Sequence, residues 1–95
     1  MPRYLTLLRF TEQGAKNLKK SPARAAAFRY KAAKAGVIIE AQYWTTGAFD
    51  GILILSAKDE TKALRCLAAL AAAGNVRTET LLALDAKEFA AVAGK

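Results

Sequence analysis

The sequence predicts an α+β domain in which the elements follow the order β-α-β-β-α-β and a short helix comes last. Three observations support this prediction. Apolar runs of strand length occur at four places, alanine-rich stretches of helix length lie between them, and glycines or N-cap residues mark most boundaries. With right-handed crossovers, this order gives a four-stranded antiparallel sheet with both main helices on one face, a ferredoxin-like sandwich.

The first half of the chain is predicted to hold one strand and one long helix. Residues 3–10 are rich in β-forming side chains. Thr11 is expected to cap a short helical turn, and Ser21 to cap the main helix with Pro22 in its first position. Gly36 is a suitable residue to end that helix. The predicted apolar face of the helix contains Phe28, Ala32 and Ala35.

The second half is predicted to begin with a hairpin. Strands at 37–45 and 51–57 flank a turn in which Gly47 and Gly51 supply conformational freedom. Asp59 then caps the second main helix, which ends at Gly74. The predicted apolar face of that helix contains Ala63, Leu64, Leu67, Leu70 and Ala71.

A fourth strand is predicted at 76–84, and a short helix after it. Asp85 and Glu88 have the spacing of a capping box, in which each side chain bonds the backbone N–H of the other residue. The short helix is expected to end near Ala93. All ninety-five residues are expected to form one domain, because a chain of this size has no room for a second core.

The third strand predicts self-association. Ile52 and Ile54 point to one side of the sheet, and Leu53 and Leu55 point to the other, so both faces need cover. The helices cover one face only. The first strand adds either Leu5 and Leu7 or Tyr4, Leu8 and Phe10 to the open face, and the pattern leaves this choice undecided. We expect a second copy to pack on that face and form a homodimer or a higher homo-oligomer.

Composition excludes several kinds of chemistry. The chain has no histidine, so it lacks the usual metal ligand and the usual general base at neutral pH. Cys66 is the single cysteine, which excludes an internal disulfide and favours the cytoplasm. No run is long and apolar enough to cross a bilayer, and the amino terminus does not have the pattern of a signal peptide. We therefore expect no metal, no cofactor and no membrane partner.

The net charge of +7 is concentrated in residues 16–34, which contain no acid. Such a segment can bind nucleic acid. However, four-stranded RNA-binding domains stack bases on aromatic residues of the sheet surface, whereas the third strand here offers only aliphatic ones. A solvated helical face is the favoured interpretation, and nucleic acid is not an expected partner.

Several motifs along the chain resemble the GYD domain family. Gly47-Ala48-Phe49-Asp50 stands where that family has Gly-x-Tyr-Asp, so Phe49 replaces the usual tyrosine and Ala48 a commonly polar residue. The likeness covers nearly the whole chain. The other matching segments are Arg9–Gly14, Asn17–Lys19, Ser21–Arg24, Tyr43–Gly47 and Gly74–Thr80.

This resemblance implies membership of the dimeric α+β barrel group, in which the sheets of two subunits pack face to face. A more distant likeness connects the hairpin and Gly74–Thr78 to the effector-binding domain of leucine-responsive (feast/famine) regulators, which bind small metabolites between subunits. The present sequence contains no helix-turn-helix portion. The resemblance therefore implies a stand-alone sensing or assembly module that binds a metabolite between subunits near Gly47–Asp50.

The candidate ligand-binding residues lie in and beside the hairpin and at the start of the fourth strand. Each also has an ordinary structural interpretation: Asp50 and Gly47 as turn residues, the aromatic residues as packing or interface anchors, and Arg77 as the partner of a glutamate. The candidates are Tyr43, Trp44, Thr46, Gly47, Phe49, Asp50, Arg77 and Thr78.

Two other functions stay open. Some dimeric α+β barrels are cofactor-independent oxygenases or isomerases, and Tyr43, Trp44 and Asp50 could serve such a reaction, although no residue is assigned a catalytic role. The third possibility is a purely structural subunit, for which a filled interface without a pocket would be the sign.

Overall fold

The computed structural model describes residues 2–94 and contains the predicted elements in the predicted order. The bounds of β1 and β3 agree with the prediction, and β2 and β4 each end one residue earlier. No helix in the described part of the chain is long and apolar enough to cross a membrane. The elements are β1 Arg3–Phe10, α1 Glu12–Lys16, a 3₁₀ turn Leu18–Lys20, α2 Ser21–Lys34, β2 Val37–Trp44, β3 Gly51–Ala57, α3 Glu60–Ala72, β4 Val76–Ala83 and α4 Ala86–Ala93.

The four strands form one antiparallel sheet in the order β2-β3-β1-β4. This is the topology that right-handed β-α-β crossovers produce, so the predicted α+β fold is confirmed. Leu5 lies opposite Ile54 on β3 and Leu81 on β4, and Leu7 lies opposite Ile52. The β2–β3 ladder is regular except for a shift beside Glu40.

The core lies between the sheet and the helices. Leu53 and Leu55 of β3 are fully buried there, together with Val37 of β2. Because side chains alternate along a strand, their burial places Ile52 and Ile54 on the opposite, open face. Thr6 is also buried in the core, where its hydroxyl forms a 3.0 Å hydrogen bond with the hydroxyl of Thr80.

The predicted helix ends are mostly confirmed. Gly36 and Gly74 follow α2 and α3 with φ of 85° and 84°, a region that glycine enters without strain. Asp59 caps α3 by accepting a hydrogen bond from the Thr61 N–H. Both hydrogen bonds of the Asp85–Glu88 capping box are formed at the start of α4.

The prediction that Ser21 caps α2 is wrong. The 3₁₀ turn runs directly into α2, so Lys20 precedes the helix in helical conformation and no side chain caps it. Ser21 is buried, and its hydroxyl accepts a 3.0 Å hydrogen bond from the indole N–H of Trp44. The serine therefore connects α2 to the end of β2.

The predicted apolar face of α3 is partly wrong. Ala63 and Leu67 are buried as expected, and Cys66 is buried between them along the helix. Leu64 is about half exposed and Ala71 is exposed. The buried stripe has the i, i+3, i+4 spacing, which turns Leu64 to the solvent side of the helix.

Candidate functional site

A cleft with a volume of about 600 Å³ opens between α2 and α3 above the sheet. It exists because α2 packs on β2, α3 packs on β3 and β4, and the two helices hardly contact each other. Leu8 and Leu53 form part of its floor, and Phe28 and Leu70 contribute from the two helices. The volume lies within the range of small-molecule sites, and most of these contacts are apolar.

Basic side chains from both helices border the cleft. Arg24 and Lys31 come from α2, and Lys62 and Arg65 come from α3. Lys62 reaches over the end of α2, since a Cβ added at Gly36 would lie 3.4 Å from its Nζ. Both helices therefore contribute cations to the lining of the cleft.

Asp50 is the one carboxylate among the described residues that line the cleft. Its Oδ2 accepts a 2.9 Å hydrogen bond from the Phe10 N–H. The backbone N–H of Asp50 donates to the Leu8 carbonyl at 2.8 Å. Asp50 thus connects the β2–β3 loop to β1, which is the structural role that aspartate often has near turns.

Cys66 lies on the wall of the cleft and is almost fully buried. Desolvation raises the pKa of its thiol above the ordinary value of 9.0, because burial disfavours the thiolate. The thiol is therefore protonated at neutral pH and behaves as a small apolar side chain.

Several predicted site residues occupy the β2–β3 loop and its surroundings. Trp44 and Tyr43 border the cleft together with Asp50, although Tyr43 lies opposite Ile52 in the strand register. Thr46 and Gly47 are exposed at the tip of the loop, where Gly47 has a φ of 112°. The neighbouring Thr45 stabilises the loop by donating its hydroxyl to the Phe49 carbonyl at 2.7 Å.

The remaining candidates lie around Arg9. Its guanidinium stacks on the Phe49 ring at 4.4 Å from the ring centroid, and its Nε donates to the Ala48 carbonyl at 3.0 Å. Arg77 lies directly opposite Arg9 in the β1–β4 register. Thr78 is opposite Leu8 and so belongs to the helix-side face. One protomer therefore distributes the predicted site over both faces of the sheet and does not gather it into one pocket.

The cleft itself was not predicted. Its basic residues belong partly to the 16–34 segment, whose charge pattern alone favours a solvated face. A signal was present: small alanines on the inner sides of α2 and α3 leave space between the helices, and cations recur at Arg24 and Lys31 and at Lys62 and Arg65 on those same sides.

Comparison with known proteins agrees with this fold. The model of the GYD domain family matches residues 4–93. A Thermus thermophilus protein described as "Glutamine synthetase and cystathionine beta-lyase binding protein" is 32% identical over 92 residues, covering 96% of this chain and 97% of that protein. The crystal structure of TTHA0845, also from Thermus thermophilus, is similar with a TM-score of 0.57 and 25% identity, over 90% of this chain and 96% of that one. The chain therefore belongs to the GYD domain family.

Proposed function

We propose that this protein is a self-associating, protein-binding module. Its open sheet face pairs with a second copy, and the resulting assembly binds metabolic enzymes. The main support is the apolar open face of the sheet, because a surface of this kind on a small domain marks an interaction site.

Five aliphatic side chains define this open face. In the strand register Leu5 and Leu7 of β1 stand beside residues of β3 and β4 on the side away from the helices. The β1 and β3 members are only half-buried, and Leu81 is 47% exposed. We name this set the open-face cluster: Leu5, Leu7, Ile52, Ile54 and Leu81.

A second copy is the occupant that the surrounding charges favour. The perimeter of the cluster carries positive and negative charges. Arg3 and Glu40 form an ion pair at 3.4 Å. Glu79 lies opposite Leu7 in the strand register, and Arg9 lies opposite Arg77. Like charges that face each other across strands are destabilising. In a twofold pair the same patch meets itself, so Glu79 of one copy can approach the Arg9–Arg77 pair of the other.

Burial supplies the driving force. Completing the burial of these partly exposed aliphatic side chains contributes on the order of 0.5 kcal/mol each, so the open-face cluster of two copies contributes about 5 kcal/mol. This gain competes with the loss of translational and rotational freedom, which costs about 4–15 kcal/mol. The cluster therefore supplies the apolar part of the association free energy, and the oppositely charged groups on its perimeter add to it.

The role in binding other proteins rests on the relative. That protein is described as binding glutamine synthetase and cystathionine β-lyase, and the alignment spans almost the full length of both chains. We propose enzymes of the same kind as partners of this chain.

Light scattering after size-exclusion chromatography tests self-association. The wild type is expected to have at least twice the 10.2 kDa protomer mass at micromolar concentration. Ile54→Glu places a charge in the open-face cluster and should yield protomers. Leu64→Glu introduces the same charge on the solvent side of α3 and should leave the assembly intact. A wild type that elutes as protomers would refute the dimer.

Binding is tested with purified glutamine synthetase and cystathionine β-lyase from the organism that supplies this chain. Titration by interferometry should give saturable binding to at least one enzyme, and Ile54→Glu should weaken it if the assembly is the binding form. Absence of binding to both enzymes at micromolar concentration would contradict the proposed partners.

A second candidate function is the binding of a small metabolite between the two copies near Gly47–Asp50. Arg9 and Arg77 favour it, because these residues lie opposite each other in the β1–β4 register and the carboxylate of a metabolite would pair with their charges. Thermal unfolding with amino acids and small carboxylates tests this function. Stabilisation that Arg77→Ala removes would support it, and no stabilisation by any compound would argue against it.

A further inference from the structure

We propose that the cleft between α2 and α3 binds a small amphipathic anion, a molecule with an apolar chain or ring body and a carboxylate or phosphate head. The cleft lies on the helix side of the sheet and within one protomer. The inference is therefore independent of the open-face pairing, while Tyr43, Trp44 and Asp50 of the candidate metabolite site also line the cleft.

The interior of the cleft determines the apolar part of the ligand. Side chains of Leu8, Phe10, Phe28, Leu53 and Leu70 line it, and the facing positions of the helices carry alanines. Alanine side chains are too short to fill the space between two helices that hardly contact each other. A cavity of about 600 Å³ with such a lining offers an apolar ligand body more contact than water does.

The rim determines the charged part of the ligand. Arg24 and Lys31 of α2 and Lys62 and Arg65 of α3 line the cleft from its two sides, and all of them except Arg24 are exposed. No helix residue that lines the cleft in the described chain is acidic, and Asp50, at the end of the floor, is hydrogen-bonded to the backbone of β1. Arg24 already donates a 2.9 Å hydrogen bond to the Asn17 carbonyl. The ion pairs of the described residues include none of these four cations, so an anionic head group can pair with them.

The arrangement of the two parts selects an amphipathic molecule. Three of the four cations are exposed, whereas Leu53 is buried and Leu8, Phe28 and Leu70 are partly buried. A long-chain carboxylate or an alkyl phosphate would lie with its body on Leu53 and its head between the helices. A fully polar anion would leave the interior unfilled, and a neutral apolar molecule would leave the cations unpaired.

Cys66 provides a direct measurement, because it is the single cysteine of the chain and it lines the cleft. The probes are sodium decanoate and decyl phosphate below their micelle concentrations, with decanol and decyltrimethylammonium as neutral and cationic controls. The readouts are the rate of Cys66 alkylation by iodoacetamide and the temperature of unfolding.

We expect both anions to slow alkylation about tenfold at about ten times their Kd and to raise the unfolding temperature. The anion with the lower Kd identifies the head group as a carboxylate or a phosphate. Equal protection by decanol would overturn the anionic requirement, and the absence of protection and stabilisation by both anions would overturn the site.

A matched pair of variants tests the rim. Lys31→Glu/Arg65→Glu changes two cations that line the cleft, and Arg29→Glu/Lys34→Glu changes the net charge equally at exposed positions of α2 outside it. The first variant should raise the Kd for the anion at least about tenfold, and the second should leave it within about twofold. Equal weakening by both variants would mean general charge attraction and would refute the site.

Two further measurements keep the test decisive. If circular dichroism shows that the charge-reversed rim variant is unfolded, Lys31→Met/Arg65→Met removes the charges and keeps aliphatic length, with the same expected loss of affinity. The second measurement is the rate of Cys66 alkylation without ligand at increasing protein concentration. A rate that falls with concentration, and that deletion of residues 85–95 restores, would show that α4 of a second copy occupies the cleft. The proposed ligand would then be wrong.

Discussion

Gly14 lies where the first turn of α1 meets the loop between α3 and β4. Thr11 connects the same two segments, because its N–H donates to the Asn75 carbonyl at 3.1 Å and its hydroxyl donates to the Gly74 carbonyl. The side-chain amide of Gln13 adds hydrogen bonds to the Ala73 carbonyl and to Asn75. These contacts leave no space for a side chain at Gly14, where an added Cβ would collide with the Asn75 carbonyl oxygen.

The first prediction concerns Gly14→Ala. Helix propensity alone predicts a stabilisation of about 1 kcal/mol, because alanine is favoured over glycine inside a helix. The collision with a backbone atom predicts the opposite, a loss of about 3 kcal/mol in the free energy of unfolding. Urea denaturation gives the sign. Gly47→Ala is the control, because an added Cβ there meets nothing within 4 Å and costs only the strain of a positive φ, about 1 kcal/mol.

The second prediction separates the two roles of Asp50. Its carboxylate accepts the Phe10 N–H, so Asp50→Ala should lower the free energy of unfolding by about 1–3 kcal/mol. Asp50→Asn keeps an oxygen acceptor and should recover most of that loss. Chemical denaturation of both variants measures the difference. Full stability of Asp50→Ala would show that the hydrogen bond is dispensable and would favour a direct role in ligand binding.

At the scale of elements, the local sequence pattern predicts where helices and strands begin and end. It does not predict how far apart two helices lie on the sheet. Gly36 and Gly74 end their helices as expected, because a glycine with positive φ is a local requirement. Ser21 was misassigned because a buried hydroxyl can bond Trp44, which is distant in sequence, in place of the helix backbone. The cleft depends on how far apart α2 and α3 lie on the sheet, and no single helix specifies that distance.

The third prediction concerns the packing of α3 and its dependence on pH. Burial raises the pKa of the Cys66 thiol in the folded chain, so the unfolded chain loses this proton first as the pH rises. The thiol's contribution to stability is therefore complete at neutral pH and declines above about pH 9, the ordinary value. The stability difference between wild type and Cys66→Ala should accordingly shrink between pH 7 and pH 10.

Urea titrations of wild type and Cys66→Ala across that range measure the effect. Every other ionisable group is common to both proteins, so its contribution cancels in the difference. A stability difference that stays constant up to pH 10 would mean that Cys66 is as well solvated in the folded chain as in the unfolded one.

At the scale of the whole molecule, the sequence established that the sheet has an apolar open face, and the register then determined its composition. The alternation along β1 was compatible with Leu5 and Leu7 or with Tyr4 and Leu8 on that face. Leu5 and Leu7 lie on the open face, because they pair with Ile54 and Ile52 of β3 and because Tyr4 is buried beneath the helices. Local sequence could not decide this, because the side on which the helices pack depends on the crossovers.

The last prediction concerns α4. The described chain has an elongated shape of 48 × 31 × 18 Å, and α4 makes little contact with the other elements. Phe89 is 59% and Val92 is 65% exposed. Deletion from Asp85 onward should therefore change the free energy of unfolding of a protomer by less than about 1 kcal/mol.

The measurement uses the Ile54→Glu background, in which the proposed assembly is expected to be absent. A larger loss in that background would show that α4 packs on its own protomer. In the wild-type background the same deletion also reports on assembly. If the free energy of unfolding depends on protein concentration with α4 present, and does not depend on it after the deletion, then the apolar side of α4 packs against a second copy. The helix would then stabilise the assembly, while the sheet and its two covering helices fold without it.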